Sequence, residues 1–215
     1  MKIGIFGTGM VGSTIGSKLV SLGHQVKMGS RTSDNKKAID WVKANGANAS
    51  HGTFSDAASF GEIIFNCTSG FGSIEAIGSA GDANLKEKIL IDIANPLDFS
   101  KGMPPSLFVC NTDSLGEQIQ SKFPYLKVVK TLNTVNCSVM VNPSLVPGEH
   151  DLFLCGNDDV AKEKVKKILT NWFGWKTVID LGDITNARAT EMLLPIWVRL
   201  FGKFQTPNFN FKIVK

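Results

Sequence analysis

The chain predicts an α/β fold, a doubly wound and mostly parallel sheet with a small C-terminal helical extension, and three features of the sequence predict it. A short apolar run, KIGIF at residues 2–6, leads directly into a glycine-rich turn and then into an amphipathic segment. Residues 62–67 and 89–93 are almost continuously apolar, the pattern of strands covered on both faces. Strand-like and helix-like stretches alternate along most of the chain, which is how successive βαβ units read.

Taken in order, the strand at 2–6 is followed by Gly7-Thr8-Gly9-Met10-Val11-Gly12. Val11, Ile15, Leu19 and Leu22 then fall on one helical face, and Gly23 ends the helix. Residues 24–28 form a second strand, and 35–45 a helix carrying Ile39, Trp41 and Val42. A helical stretch over 74–80 separates the two apolar strands. Later strands lie at 126–132, 152–155 and 177–181, with helices at 114–123 and 159–173. Residues 95–112, rich in Pro, Gly and Ser, read as a long loop, and loops of that size are often functional. From 184 to 204 runs one more helical pattern, interrupted by Pro195 and ending at Gly202, before an extended or irregular tail at 206–215.

Composition narrows the function classes. Hydrophobic residues make up 43% and charged residues 20%, an ordinary globular balance. A formal net charge of +4 without a basic stripe and interleaved aromatics points to an anionic small ligand and not to nucleic acid. The lysine-rich run at 162–167 reads as the solvated face of an amphipathic helix. Cys67, Cys110, Cys137 and Cys155 are widely and irregularly spaced, which fits free thiols in a reducing compartment. No stretch is long and apolar enough to span a membrane, and the N-terminus does not read as a signal peptide, so a cytoplasmic setting is expected.

The glycines carry the first functional signal. A GxGxxG pattern is weak alone, but here a strand enters it and a helix leaves it, the context of a Rossmann-type dinucleotide site. Gly7 permits the tight turn, Gly9 leaves no side chain where a pyrophosphate approaches the backbone, and Gly12 lets helix and strand pack closely. Thr8 and Met10 add backbone or hydroxyl contacts, and the helix N-terminus offers N–H groups and a positive dipole end to the phosphates. At the end of the second strand an NAD site places Asp or Glu, roughly 20 residues beyond the glycines. This chain has Gly29-Ser30-Arg31-Thr32 there. A hydroxyl and a guanidinium suit a 2′-phosphate that an acid would repel, so NADP(H) is expected over NAD(H). Lys36 and Lys37 add positive potential at the start of the next helix.

GTGMVG, the GSR at 29–31, IDIANPL at 91–97 and KTLNT at 130–134 together resemble the coenzyme F-420-dependent NADP oxidoreductase family, which also includes the cytoplasmic domain of the STEAP-type metalloreductases. The likeness extends over about residues 1–135. It implies that Thr8, Met10 and Val11 line the pyrophosphate and that Ser30 and Arg31 hold the 2′-phosphate. It further implies that Thr68 and Ser69 run beside the ribose or nicotinamide, that Asn95 and Pro96 lie near the nicotinamide ribose, and that Asn133 and Thr134 lie near the reacting ring. Relatives commonly have a proline just after the fourth strand; here the sequence is Cys67-Thr68-Ser69-Gly70-Phe71-Gly72, which predicts a looser loop.

Other chemistries lack their residues. Hydride transfer between two rings requires positioning and exclusion of water but no side-chain acid. The lysine that hydroxyacid dehydrogenases place on a helix after the nucleotide domain has no counterpart at 182–192. Arg188 and Glu191 read there as an i,i+3 surface or interface pair. His24, His51 and His150 are isolated, and no metal-ligand spacing, GxSxG elbow or P-loop occurs. The apolar segment 192–201 reads either as core or homodimer seam, or as a lid that sets Trp197 or Phe201 against a flat acceptor.

The expectation is an oxidoreductase moving hydride between NADPH and a flat redox acceptor of the deazaflavin F-420 or flavin type. A reductase of a small imine, carbonyl or quinone, and a non-catalytic NADP(H)-sensing module, are the alternatives. Residues 1–180 form the nucleotide-binding domain; 181–215 complete the acceptor site or form a homodimer interface.

Overall fold

The computed structural model describes all 215 residues. The chain begins with three strand–helix pairs: β1 (Lys2–Phe6) and α1 (Met10–Ser21), β2 (Gln25–Ser30) and α2 (Lys36–Asn45), β3 (Ala49–Thr53) and α3 (Phe54–Phe60). Next come β4 (Ile63–Asn66), α4 (Gly70–Ser79), the short α5 (Asp82–Leu85) and β5 (Ile89–Asp92). The long loop that follows carries a two-stranded ribbon of β6 (Leu97–Asp98) and β7 (Ser106–Leu107). The remainder is α6 (Leu115–Lys122), β8 (Lys127–Thr131), α7 (Cys137–Val141), β9 (Asp151–Gly156), α8 (Asp159–Asn171), β10 (Thr177–Asp180), α9 (Ala187–Met192) and α10 (Leu194–Phe204).

One eight-stranded sheet has the order β10-β9-β8-β5-β4-β1-β2-β3. Every neighbouring pair is parallel except β8 with β9, so β9 and β10 run against the other six. From β1 the chain winds outward to β3, then crosses back to lay β4 on the other side of β1. That reversal opens a crevice beyond the carboxyl ends of β1 and β4, where ligands settle in doubly wound sheets.

The apolar strand runs divide between two cores, one on each face. Ile63, Phe65, Ile89 and Ile91 join Ile3, Ile5, Ile15 and Leu19 on one side, whereas Ile64, Leu90 and Val128 join Phe6, Ile77 and Ile119 on the other. Alternate side chains therefore both need apolar cover, which is why the strands read as unbroken runs. Helix α1 differs from its expected face. Gly12, Ile15, Gly16 and Leu19 are its buried residues, while Leu22 is exposed at its end. A Cβ at Gly16 would stand 2.7 Å from the Trp41 ring, so close approach through glycine defines the buried face.

Several elements depart from expectation. β3 and α3 went unread because ASHGT lacks apolar alternation and α3 is only seven residues long. The segment 184–204 divides into a 3-10 turn (Ile184–Asn186), α9 and α10, with Pro195 in the first turn of α10, where its missing N–H costs nothing. Lys162, expected in solvent, is buried and bonded to Asp180 and Asp159 at 3.0 Å each. The tail folds back on β9: Asp151 N–H donates to the Phe211 carbonyl at 2.9 Å, and Phe209 stacks on Trp197.

Candidate functional site

The three glycines of the turn do different work. Gly7 has φ +111°, and a Cβ there would lie 2.6 Å from the Cys67 carbonyl oxygen. A Cβ on Gly12 would lie 2.2 Å from the Gly7 carbonyl oxygen. Both are required by the protein itself. Gly9 is not: its φ is −79°, open to any residue, and a Cβ would meet nothing within 4 Å. The space above Gly9 is open at the start of α1, which has no side-chain cap and no acid in its first turn. A cradle of free N–H groups that a side chain would fill fits a pyrophosphate.

From Gly9 a cavity of about 250 Å³ extends over the end of β2, lined by Thr8, Ser30, Arg31 and Asn35 among others. Ser30 is buried, and its hydroxyl donates to the Thr32 carbonyl at 2.6 Å. The Arg31 guanidinium is exposed at the cavity edge, with Nε 4.0 Å from Glu75 Oε1. Lys36 is exposed and off the lining; Asn35, the α2 cap that accepts from the Ala38 N–H, takes that place and was not anticipated. No acid lies in this lining.

A larger cavity of about 610 Å³ adjoins it, floored by Val11 and walled by residues 67–71 on one side and by residues of the 93–100 segment on the other. Cys67, Thr68 and Ser69 line both cavities, so one cleft crosses the carboxyl ends of β2, β1, β4 and β5. Phe71 and Phe99 expose ring surface here, and Phe71 stacks on Phe108 at 4.3 Å. Asn95 lines the cavity and pairs with Asn133. Pro96, Asn133 and Thr134 are buried and line neither cavity, the Thr134 hydroxyl without a partner. Met10, at the start of α1, is exposed and lines neither cavity.

A family model described as NADP oxidoreductase, coenzyme F-420-dependent, matches residues 2–96. A crystal structure from Arthrobacter sp. FB24, provisionally described as an F-420-dependent NADP-reductase, is 49% identical over the whole of both chains with a TM-score of 0.94. The chain belongs to the coenzyme F-420-dependent NADP oxidoreductase family. The F-420-dependent NADP reductase of Methanocaldococcus jannaschii is 28% identical over 99% of this chain and 98% of its own. Metalloreductase STEAP3 of Rattus norvegicus is 28% identical over 91% of this chain but only 38% of its own length.

In this NADP-dependent oxidoreductase the loop after β4 is not loose. The Thr68 hydroxyl donates to Asn66 Oδ1 at 2.7 Å, and a Cβ on Gly70 would stand 2.2 Å from the Asn95 carbonyl oxygen, so the two walls of the larger cavity touch. Beneath them lies a polar row that sequence reading missed. Asn66, Asp92 and Lys130 are register partners across β4, β5 and β8, all fully buried. Lys130 Nζ donates to Asp92 Oδ2 at 2.8 Å, to the Ala94 carbonyl at 2.5 Å and to Glu191 Oε1 at 2.8 Å, using all three of its donors. Burial works against its charge, but the carboxylates of Asp92 and Glu191 outweigh that and hold its pKa above the ordinary value. Glu191 in turn accepts from the Leu115 and Gly116 N–H groups at the start of α6. The expected Arg188–Glu191 pair is therefore corrected: Arg188 bonds Glu117, and Glu191 is buried with Lys130.

Two further properties bear on chemistry. Burial, with Asp92 nearby, pushes the Cys67 thiol well above the ordinary cysteine range. Asp98 accepts the Ser100 backbone N–H at 2.8 Å, which holds its carboxyl below the usual range. Neither residue of α10 named as a lid reaches the cleft: Trp197 stacks between Phe201 and Phe209 and lines neither cavity.

Proposed function

We propose that this oxidoreductase passes hydride between NADPH and a flat ring acceptor of the deazaflavin F-420 or flavin type, seated in the larger cavity. The observation that carries the reading is the continuity of the cleft at Thr68 and Ser69. On one side is a cavity edged by Arg31 without an acid; on the other, an apolar one with exposed aromatic rings. NADP(H) would lie across both. Gly7, Gly9 and Gly12 shape the turn, and Thr8, Met10, Val11 and the α1 N-terminus face the pyrophosphate. Ser30 and Arg31 hold the 2′-phosphate, with Lys36 adding potential. Thr68, Ser69, Asn95 and Pro96 position the ribose and nicotinamide, and Asn133 and Thr134 back that wall.

Bound across the cleft, NADPH would supply a hydride to an acceptor ring held beside its nicotinamide, and the acceptor would take its proton from solvent. The protein's task is to hold two rings about 3–3.5 Å apart and exclude water between them. Phe71 and Phe99 offer the surface for stacking. Reduction of a small carbonyl or imine would call for a proton donor of matched pKa. The two titratable groups on the larger cavity are both shifted away from such a match, Asp98 downward by the Ser100 N–H and Cys67 upward by burial, which favours the ring acceptor.

The same reading includes a cytoplasmic homodimer, with residues 1–180 as the nucleotide-binding domain and 181–215 as the subunit contact. What supports it is α10, which buries only Leu194 and exposes Ile196, Phe201 and Phe204. No helix is long and apolar enough to cross a membrane. Sedimentation at several concentrations tests the dimer.

The decisive test is anaerobic NADPH oxidation by the purified protein against F-420, FMN and FAD, with NADH as control. Turnover with one of these and preference for NADPH is expected. Tight NADPH binding without turnover by any of them would favour a non-catalytic binding module and sink the acceptor assignment.

A further inference from the structure

The two walls of the larger cavity belong to different strands, the 67–71 wall to the end of β4 and the 93–100 wall to the end of β5. The last ladder hydrogen bond between them runs from the Ile93 N–H to the Asn66 carbonyl at 3.1 Å, and beyond it the sheet itself does not fix the distance between the two loops. In this chain one buried carboxylate joins them. Asp92 Oδ1 accepts from Asn66 Nδ2 at 2.7 Å and from the Ala94 N–H at 3.3 Å. Asn66 passes the constraint to the first wall, since its Oδ1 accepts the Thr68 hydroxyl and its Nδ2 reaches the Ser73 hydroxyl at 3.3 Å. Ser73 donates to the Ser69 carbonyl at 3.1 Å, closing the loop on that wall. On the second wall, Lys130 holds the Ala94 carbonyl and the other oxygen of Asp92.

We infer that Asp92 and Lys130 form a clamp that sets the width of the larger cavity and so the placement of the nicotinamide against its acceptor. The inference rests on the proposed reading of that cavity. The two residues touch neither ligand: they line neither cavity, and both are fully buried. They are positioning residues, acting through Asn66 and Thr68 on one side and through Ala94 and Asn95 on the other. The contact of Gly70 with Asn95 shows how little slack there is, since a single added methyl group would force the walls apart. Glu191 completes the device by holding Lys130 from α9 and by tying it to the α6 N-terminus. A buried lysine with three fixed acceptors has one position, unlike an apolar side chain of the same length, which could slide.

The test compares two ligands in Lys130→Met and Asp92→Asn. NADPH reaches both cavities, whereas 2′,5′-ADP carries only the half that the smaller cavity would take. Calorimetric titration of the full chain is expected to show NADPH affinity lowered about tenfold in both variants, the loss of roughly one good contact, with 2′,5′-ADP affinity unchanged within about twofold. With F-420 or FMN as acceptor, kcat should fall by more than the affinity, on the order of a hundredfold for a displacement of roughly 1 Å. If both ligands weaken together, or neither does, the clamp is overturned and the network serves folding alone. If Lys130→Met does not fold, Asp92→Asn decides, because its Oδ1 can keep the bonds from Asn66 and the Ala94 N–H while its Nδ2 can no longer accept from Lys130, so the link between the two clamp residues alone is cut. Wild-type protein that binds neither ligand would overturn the cofactor reading, and the clamp with it.

Discussion

Asn95 and Asn133 hold each other by two hydrogen bonds: Asn95 Nδ2 donates to the Asn133 carbonyl at 2.8 Å, and Asn133 Nδ2 donates back to Asn95 Oδ1 at 3.0 Å. They stand 38 residues apart, beyond the ends of β5 and β8, and only Asn95 lines the larger cavity. Asn133 thus fixes which way the Asn95 amide faces. Asn133→Ala leaves that amide half-satisfied, at a cost of about 1–3 kcal/mol. Turnover with NADPH is expected to fall about tenfold, whereas the 2′,5′-ADP affinity stays near wild type. Unchanged turnover would remove Asn95 from the site.

In the proposed reading Arg31 decides cofactor choice. Its guanidinium pairs with Glu75 at 4.0 Å, with both side chains about three-quarters exposed, a pairing that contributes little. A 2′-phosphate would offer charge-assisted bonds worth about 1.5–3 kcal/mol. Arg31→Ala should therefore weaken NADPH binding by about 10- to 100-fold and leave NADH binding nearly unchanged. Glu75→Gln should tighten NADPH slightly by releasing Arg31. Equal losses for both cofactors in Arg31→Ala would place the adenosine elsewhere.

Gly9 and Gly12 separate a ligand's demand from the fold's. Gly12→Ala drives a methyl group into the Gly7 carbonyl oxygen, and such overpacking costs about 1–3 kcal/mol. At roughly 2–4 °C per kcal/mol for a chain of this size, its melting temperature should drop measurably. Gly9→Ala meets nothing and keeps an ordinary φ, so its melting temperature should stay within a few degrees of wild type. Its NADPH affinity should nonetheless fall at least about tenfold, because the new methyl group occupies the pyrophosphate's space. A Gly9→Ala protein that binds NADPH normally would mean that the phosphates do not lie over this turn.

The contrast between these glycines shows what the sequence could disclose. The turn, the strands with both faces apolar, and the Ser30-Arg31 pair are local patterns, each legible because neighbouring residues determine it. β3 and α3 were not legible because a polar edge strand and a two-turn helix carry too little periodicity. The row of Asn66, Asp92 and Lys130 joins strands far apart in sequence, and Glu191 enters from 61 residues beyond Lys130. A signal for it was nonetheless present. Asp92 is the single charge of β5, and Lys130 lies in the buried part of β8, whose other lysine, Lys127, stands at the half-buried start; a charge in a buried strand requires a partner. Pairing the two strand charges would have found the ion pair; nothing local indicates Glu191, which reads as one more acid on a helix surface.

The acid response follows from carboxylates that cap backbone N–H groups. Asp56 is held below the usual range by the Thr53 hydroxyl and backbone N–H in a capping box at the start of α3. Asp158 is held low by the Ala161 N–H at the start of α8, with Lys127 adding to it from 3.3 Å, and Asp183 by Thr185. Each is more acidic folded than unfolded, so each contributes stability that is complete above the unfolded carboxylate range, near pH 4, and is lost as pH falls through the folded value. The melting temperature should therefore be level from neutral pH to about pH 5 and drop below about pH 4. Asp158→Asn should melt lower than wild type at neutral pH, and the gap should narrow as the pH falls past that point. A decline already complete between pH 7 and pH 5 would assign the transition to a histidine instead, and would refute the carboxylate caps as its cause.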